Sequence, residues 1–411
     1  VHFLCSTYGS SGDVYPLLGL ALELRRRGHE VTVATNDYYA PVAARLGIPF
    51  EPLGTAADFE ACVRNSDLWH PRRGFRHVFE SLRPSLRRQY EIHVEAAARG
   101  PVVGVTQCFG MGALLAREKI GIPVVSLHVQ PAVLWSDIDP PSLPGVFGPR
   151  WLRSWLYGVG EKYFIDPVVC PFLNGWRAEL GLPPVKKITR WWHSPDGVIA
   201  MFPHWFAAPQ PDWPKPLWQT DFPLWNDRAD QPLADDVQRF LRQGSPPIVF
   251  TPGSTNVHGA TFFRVALETC ERLQHRGIFL TDFPEQIPHS LPDSIAHFRY
   301  VPLDRLLPHS AAFVHHGGIG SMSQALLAGV PQVLMPLAHD QFDNAERVRR
   351  MGVGDGVPAS KFTTGRLVRA LHPLLDSPDV TTRCQATARK LAGRDGIRLA
   401  ADALERNFAT K

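Results

Sequence analysis

Two α/β domains, each built on a parallel, doubly wound sheet, are the architecture this 411-residue chain predicts, on three observations. Short apolar runs alternate with helical stretches from Val1 to Leu127, and again from Ile248 onward. Between these halves, residues 131–225 lose that rhythm and fill with Pro and Trp. A glycine-rich turn, His315-His316-Gly317-Gly318-Ile319-Gly320-Ser321, follows a strand-like run and opens a helical one that ends at Gly329. Such sheets take ligands at the carboxyl ends of their strands, so a cleft between two of them is the expected site.

Taken in order, Val1–Ser6 reads as a buried strand and Thr7–Tyr15 as a glycine-bearing loop. Pro16–Arg27 is a helix with Pro at its start and Gly28 just past its end. Val31–Thr35 is the next strand. A helix over Tyr39–Leu46, a strand near Phe50 and a helix over Phe75–Ala98 follow. A strand at Val102–Thr106, a helix over Gly112–Ile120 and a strand at Val124–Leu127 complete the first run. The Pro/Trp-rich stretch reads as irregular loops and helices, from which Val198–Met201 returns as a strand. In the second half, the strand Ile248–Thr251 leads to a helix over Phe262–Arg276. Strands at Ile278–Thr281, His297–Val301, Ala312–Val314 and Val333–Met335 come next, then helices. The expected division is residues 1–225 and 226–390, with a linker near Phe222–Leu233. A C-terminal helix at 391–411 is expected to pack back on the first domain.

Charged residues make up 20% and hydrophobic ones 44%, an ordinary globular composition that excludes a disordered or fibrous chain. The formal net charge is only +4, and the densest cationic clusters, Arg25-Arg26-Arg27 and Arg349-Arg350, fall at helix ends. That argues against nucleic acid, while a mildly basic surface suits peripheral contact with an anionic membrane face. Cys5, Cys62, Cys108, Cys170, Cys270 and Cys384 are scattered without ligand spacing, as in a reducing compartment. No apolar run reaches spanning length and no signal peptide is recognisable; Val1 already lies in a strand, so an initiator Met is expected before it. The expected location is the cytoplasm or the cytoplasmic face of a membrane.

The glycine-rich turn leaves backbone N–H groups pointing at one spot beside a helix N-terminus, a site for phosphate oxygens. The next strand ends at Pro336 and its loop brings Asp340 and Gln341, an acid and an amide suited to sugar hydroxyls. Diphosphate and sugar side by side describe a nucleotide-sugar donor; the plainer reading is an αβ turn with Asp340 capping a helix. His315 and His316 are adjacent, so their side chains diverge, giving one polar contact and one packing role rather than a paired metal site. Gly253, Ser254 and Thr255 close another strand and offer further donors to the same phosphates. Tyr300 suits stacking on a nucleobase with the Val301 backbone at its edge, or else core packing. In the first half, Asp13 in the loop Gly9–Pro16 is either a helix cap or a general base for an acceptor hydroxyl, with Ser11 and Gly12 beside it. The aromatics from Val129 to Trp225, Trp135 and Trp192 among them, line an apolar acceptor channel or form interdomain core. Asp137-Ile138-Asp139 imitates a DxD metal motif, but its Pro-rich loop supplies no further ligands.

His315–Gln341 resembles the donor signature of the family 1 glycosyltransferases, which have the GT-B fold of two facing Rossmann-like domains. The opening Gly9–Pro16 loop and Arg27-Gly28-His29-Glu30-Val31-Thr32 resemble the bacterial members, and the likeness covers nearly the whole chain. Within the family, Trp192–Gly197, Phe202–Phe206, Asp212-Trp213-Pro214 and His339–Arg347 are most similar to the rhamnosyltransferases of rhamnolipid synthesis. The resemblance implies that His315 contacts the donor diphosphate, with Gly317, Gly318, Ile319, Gly320 and Ser321 lending the helix N-terminus. It implies that Asp340 and Gln341 hold the sugar, and that Asp13 stands where many members carry a catalytic His. Tyr300 and Leu303 depart from the family's Trp and Gln, which leaves the base preference open.

The implied reaction is metal-independent inverting transfer, without cofactor beyond a nucleotide-sugar co-substrate. The expected donor is dTDP-L-rhamnose, and the expected acceptor a hydroxylated lipid such as a hydroxyacyl-hydroxyalkanoate. Alternatives are a UDP-glucose-dependent enzyme for a lipid, sterol or macrolide-like aglycone, a nucleotide-sugar epimerase, or a noncatalytic nucleotide-sugar- or lipid-binding subunit. Contact with the inner membrane or with an acceptor-synthesising partner belongs to the same expectation.

Overall fold

Leu4, Cys5, Val33, Val103, Val105, Val124 and Val125 are all buried, the pattern of parallel strands covered by helices on both faces. The computed structural model, which describes residues 1–143, 146, 148–226 and 231–409, gathers them into the first of two units. This unit comprises Val1–Pro141, Gly145–Trp225 and Asp395–Lys411; the second comprises Ser142–Pro144 and Asn226–Arg394. Residues 227–230 of the expected linker and 410–411 of the expected C-terminal helix lie outside the described residues.

The first unit holds strands β1 (His2–Ser6), β2 (Glu30–Thr35), β3 (Phe50–Pro52), β4 (Val102–Thr106), β5 (Val124–His128), β6 (Val198–Ala200) and β7 (Leu217–Gln219). Their order is β3-β2-β1-β4-β5-β6-β7, every pair parallel. The second holds β8 (Ile248–Thr251), β9 (Gly277–Leu280), β10 (Ile295–Phe298), β11 (Ala312–His315), β12 (Gln332–Leu334) and β13 (Gly354–Gly356). Its order, β10-β9-β8-β11-β12-β13, is again wholly parallel. The expected α/β class and paired Rossmann-like sheets are what is found. In each sheet the winding reverses beside the first strand, between β1 and β4 and between β8 and β11, and the crevice for a ligand opens at that reversal. The helix that follows β1 carries Asp13 in its first turn, and His316 to Ser321 run from the end of β11 into the start of the next helix.

Several elements differ from expectation for local reasons. The first helix is Ser11–Arg26, so Asp13 lies in its first turn and Pro16 inside it. The expected helix over Phe75–Ala98 is broken at Pro84, which has no N–H to donate, into Gly74–Leu82, a 3-10 turn at Arg83–Ser85, and Leu86–Arg99. A helix at Ala56–Arg64 was not expected; Thr55 and Asp58 cap it reciprocally. The helices expected without bounds within the Pro/Trp-rich stretch are Arg150–Gly160, a π-helical turn Glu161–Ile165 and Asp166–Glu179, a run that contains Gly158, Gly160, Pro167 and Pro171. β7 and the glycine-bearing β13 were missed, and Tyr300 and Val301 lie beyond the end of β10. Within the first unit, Arg27 Nη1 meets Asp402 at 2.7 Å and Glu405 at 2.6 Å, holding the last helix, Gly396–Leu404, against the first.

Candidate functional site

The turn after β1 is built around one carboxylate. Gly9 has φ +127°, and a Cβ there would sit 2.3 Å from Asp13 Oδ2, so only glycine admits the acid at this distance. Oδ2 accepts from the Ser10 N–H at 3.0 Å and from the Ser10 hydroxyl at 3.3 Å. The capping reading of Asp13 is thus half right: one oxygen serves the helix start. Oδ1 accepts no hydrogen bond from the described residues. Removal from water pushes the carboxyl up to about 6, against the downward pull of Ser10. An acid with that value and one uncommitted oxygen has the properties of a general base near neutral pH.

The floor beneath this turn is a buried polar network that sequence reading missed. Thr7 Oγ1–H donates to Gln107 Oε1 at 2.8 Å, and Gln107 Nε2–H donates to the Asp13 carbonyl at 3.0 Å. Gln89 Nε2–H donates to Ser6 Oγ at 3.0 Å, while its Oε1 accepts from the Gly112 N–H at 3.0 Å. The Cys108 thiol is pushed up to about 12 by burial and by the Asp13 charge, so it is an uncharged neighbour of the acid. Ser11 is half-buried with its hydroxyl against the Tyr39 phenol, and Gly12 is exposed.

The turn after β11 has no charge of its own. Gly317 takes φ +95°, Gly318 caps the helix Ile319–Ala328, and Gly329 ends it with φ +68°. First-turn N–H groups of Ile319, Gly320 and Ser321 have no carbonyl within the helix to meet, which makes a cradle for anionic oxygens. The assignment of His315 to the diphosphate is corrected here. Its ring is fully buried and stacked on Phe313 at 4.5 Å. Nδ1 accepts from the Gly317 N–H at 3.1 Å, and Nε2 lies 2.9 Å from Gln332 Oε1. Both nitrogens are therefore spent on the fold. His316 has the outward position instead: a Cβ on Gly253 would lie 2.9 Å from its ring and one on Gly318 only 2.5 Å from Nε2. Its imidazole is wedged between the two glycine turns, and burial depresses it to about 4, so it is neutral. His315 packs and His316 takes the polar role, as the divergence of adjacent side chains requires. β8 and β11 are neighbours with His315 level with Thr251, which sets Gly253, exposed Ser254 and half-buried Thr255 beside His316.

Asp340 is half-buried at the start of the helix Gln341–Met351, where its Oδ2 accepts from Asn344 Nδ2 at 2.7 Å. Asn344 Nδ2 also reaches the Gly317 carbonyl at 2.9 Å and so ties the acid to the glycine turn. Gln341 is buried, with Oε1 accepting from the N–H groups of Leu337 and Ala338 at 2.8 and 3.2 Å. Val301 is buried, whereas Tyr300 is 50% exposed, which disposes of the core reading of that ring.

Two acceptor-side expectations are corrected. Trp192 belongs to the first unit's core beside Val124, Leu173 and Ile188, and Trp135 packs edge-on against Tyr157 at 4.8 Å. Neither lines an open surface. Within residues 131–225 the exposed aromatics among the described residues are Trp151, Trp155, Tyr163 and Phe164, at 72, 63, 61 and 61%. Trp151 and Trp155 stand one helical turn apart, a spacing that was readable but hidden by the surrounding Gly and Pro. Among the described residues no group of three or more His, Cys, Asp or Glu could hold a metal ion, and Asp137 is occupied by Arg190 and the Ser154 hydroxyl.

Residues 3–132 match the model of the glycosyltransferase family 28 N-terminal domain, and residues 269–395 that of the erythromycin biosynthesis protein CIII-like C-terminal domain. Glycosyltransferase GtfE of Amycolatopsis orientalis is 30% identical, over 98% of this chain and 97% of its own. Sterol 3-beta-glucosyltransferase UGT80B1 of Arabidopsis thaliana is 24% identical, over 97% of this chain and 67% of its own. Among solved structures, the kitacinnamycin glycotransferase superposes with a TM-score of 0.75 at 23% identity, over 99% of this chain and 98% of the other. Glycosyltransferase VinC, in complex with dTDP, gives 0.67 at 19% identity, over 99% of each.

Proposed function

The chain belongs to the family 1 glycosyltransferases of GT-B fold, and from that premise we propose that it moves a hexose from a nucleotide sugar onto the hydroxyl of an apolar, lipid-like acceptor. L-Rhamnose from dTDP-L-rhamnose and a hydroxyacyl-hydroxyalkanoate acceptor are the specific reading, as in rhamnolipid synthesis. The observation that carries the acceptor class is the exposed aromatic surface at Trp151, Trp155, Tyr163 and Phe164, which suits an alkyl chain. The dTDP bound by VinC favours a thymidine donor.

Each step has a residue for it. Asp13 Oδ1 removes the proton of the acceptor hydroxyl while that oxygen bonds to the anomeric carbon, and the bond from that carbon to the diphosphate breaks, inverting the centre. Charge gathering on the departing diphosphate is met by the His316 ring, the N–H groups of Ile319 to Ser321, and Gly253 to Thr255. A preorganised donor of this kind contributes roughly 3 kcal/mol in other enzymes. Asp340 and Gln341 hold sugar hydroxyls, and Tyr300 stacks on the base with the Val301 backbone at its edge. Ser11 and Gly12 flank the acceptor hydroxyl.

The sterol glucosyltransferase relative favours a second reading, a UDP-glucose enzyme acting on a sterol or macrolide-like aglycone. Among the described residues no helix is long and apolar enough to cross a membrane. A formal charge of +4 suits a peripheral visit to an anionic membrane face. Incubating the purified chain with a panel of nucleotide sugars and acceptors, then extracting glycolipids for mass spectrometry, tests the proposal. Rhamnosylated lipid supports the specific reading. Glucosylation of sterols alone would replace it, and activity confined to small hydrophilic aglycones would defeat the apolar-acceptor proposal.

A further inference from the structure

At the end of β5, three side chains form a hydrogen-bond chain that the steps above leave unused. Trp192 Nε1 lies 3.1 Å from His193 Nε2, and His193 Nδ1 lies 3.0 Å from His128 Nε2. An indole nitrogen only donates, so His193 Nε2 accepts and the proton of its neutral ring is on Nδ1. That Nδ1–H then donates to His128 Nε2, which leaves the His128 proton on Nδ1. Both rings are buried, 5.0 Å apart edge to face. Burial lowers both imidazoles, His128 to about 3, so the chain is uncharged near neutral pH.

The last donor of the chain has no acceptor: His128 Nδ1–H meets no atom of the described residues, although the residue is 2% exposed. This nitrogen is not among the fully buried polar atoms that lack a partner, so an otherwise enclosed ring keeps its one spare N–H where a substrate atom can reach it. Its place in the sheet suggests a use. His128 is the last residue of β5, on the carboxyl edge that also carries Asp13. β4 separates β5 from β1, and its paired register with β5 ends at Thr106 and Ser126, two residues before His128. At about 4.8 Å per strand, the end of β5 lies on the order of 10 Å from the end of β1, whose following helix carries the acid in its first turn.

We propose that His128 Nδ1–H is a positioning donor for the acceptor substrate, binding an uncharged oxygen such as an ester or ketone carbonyl roughly 10 Å from the hydroxyl that reacts. This rests on the reading of Asp13 as the base in the first unit. A carboxylate fits the position less well, because a neutral ring cannot compensate a charge taken out of water. Trp192, out of reach of substrate, acts by holding both tautomers.

Binding of two hydroxylated acceptors of equal chain length, one with an ester carbonyl and one with methylene there, tests this by titration calorimetry. The wild-type chain should bind the ester about tenfold more tightly. His128→Leu should abolish that preference without weakening the methylene analogue, and His128→Asn, whose amide N–H can replace Nδ1–H, should restore it. Nitrogen-15 shifts should show His128 protonated at Nδ1, and at Nε2 as well as Nδ1 across the population in Trp192→Phe. Equal ester preference in wild type and His128→Leu, or a proton on Nε2 in the wild type, would overturn the inference. Asp13→Asn separates the two claims: retained ester preference with retained turnover sinks the base and leaves the His128 contact standing.

Discussion

The turn after β1 and the turn after β11 flank the winding reversals of two sheets of the same order, the one after its sheet's first strand and the other after its sheet's fourth, and they are built in opposite ways. Each has one glycine at positive φ, Gly9 or Gly317, and opens a helix. The first spends its glycine on admitting a carboxylate, and Gly9 lies against Asp13. The second spends its glycines on clearing space for a neutral imidazole, and His316 lies against Gly253 and Gly318. One turn thereby holds an acid whose charge is disfavoured by burial, as the proposed base requires. The other presents N–H groups and no charge, as the proposed diphosphate site requires. The winding decides where chemistry can occur; what the glycines make room for decides which chemistry.

The strongest way to break this contrast is Asp13→Asn. It should lower transfer by about 10²–10⁴-fold with donor affinity unchanged. The fold should lose nothing, because ionised Asp13 is disfavoured: its folded pKa of about 6 lies above the usual 3.8, so the cost is absent below that lower value and complete above the higher one. Thermal melts at pH 7 and kinetics on the same sample read both. Next comes the pair of histidines. His316→Ala should cost about 10²-fold or more in kcat. His315→Ala should instead lower stability by about 1–3 kcal/mol through lost hydrogen bonds, with activity per folded molecule kept; urea unfolding separates the two. Gly318→Ala, which forces His316 aside, should raise the donor KM about tenfold, a loss comparable to an ordinary destabilising change. Smallest are Trp151→Ala and Trp155→Ala. Each should raise KM for long-chain acceptors several-fold, roughly 1 kcal/mol, and leave short-chain acceptors alone.

How much of this was legible in the sequence varies by residue. Asp13 stood out because it is the lone acid in a glycine-bearing strand-end loop. The turn at Gly317 to Ser321 stood out because its spacing demands free N–H groups. Which histidine faces outward was not legible, since two adjacent rings must diverge but composition does not say which way; Phe313 and Gln332 decide it by claiming His315. The tryptophans between Trp135 and Trp225 announced apolar area without saying on which side of the backbone it lay. Trp192 went to the core and Trp155 to the surface. The bounds of the helices from Arg150 to Glu179 were not legible because tertiary packing and a π-helical turn carry the chain past Gly and Pro that would end a helix in isolation. His128 gave no local signal, as its role depends on Trp192 and His193, more than sixty positions away.

The pH dependence of kcat/KM bears most directly on the division of labour between the two turns. With His315 and His316 held neutral by burial, the acid limb belongs to Asp13 alone. Activity should fall as pH drops through an apparent pKa of about 6. The residual activity of Asp13→Asn should lack that limb. A wild-type profile flat from about pH 5 to 7, or a limb that survives in Asp13→Asn, would contradict Asp13 as the base.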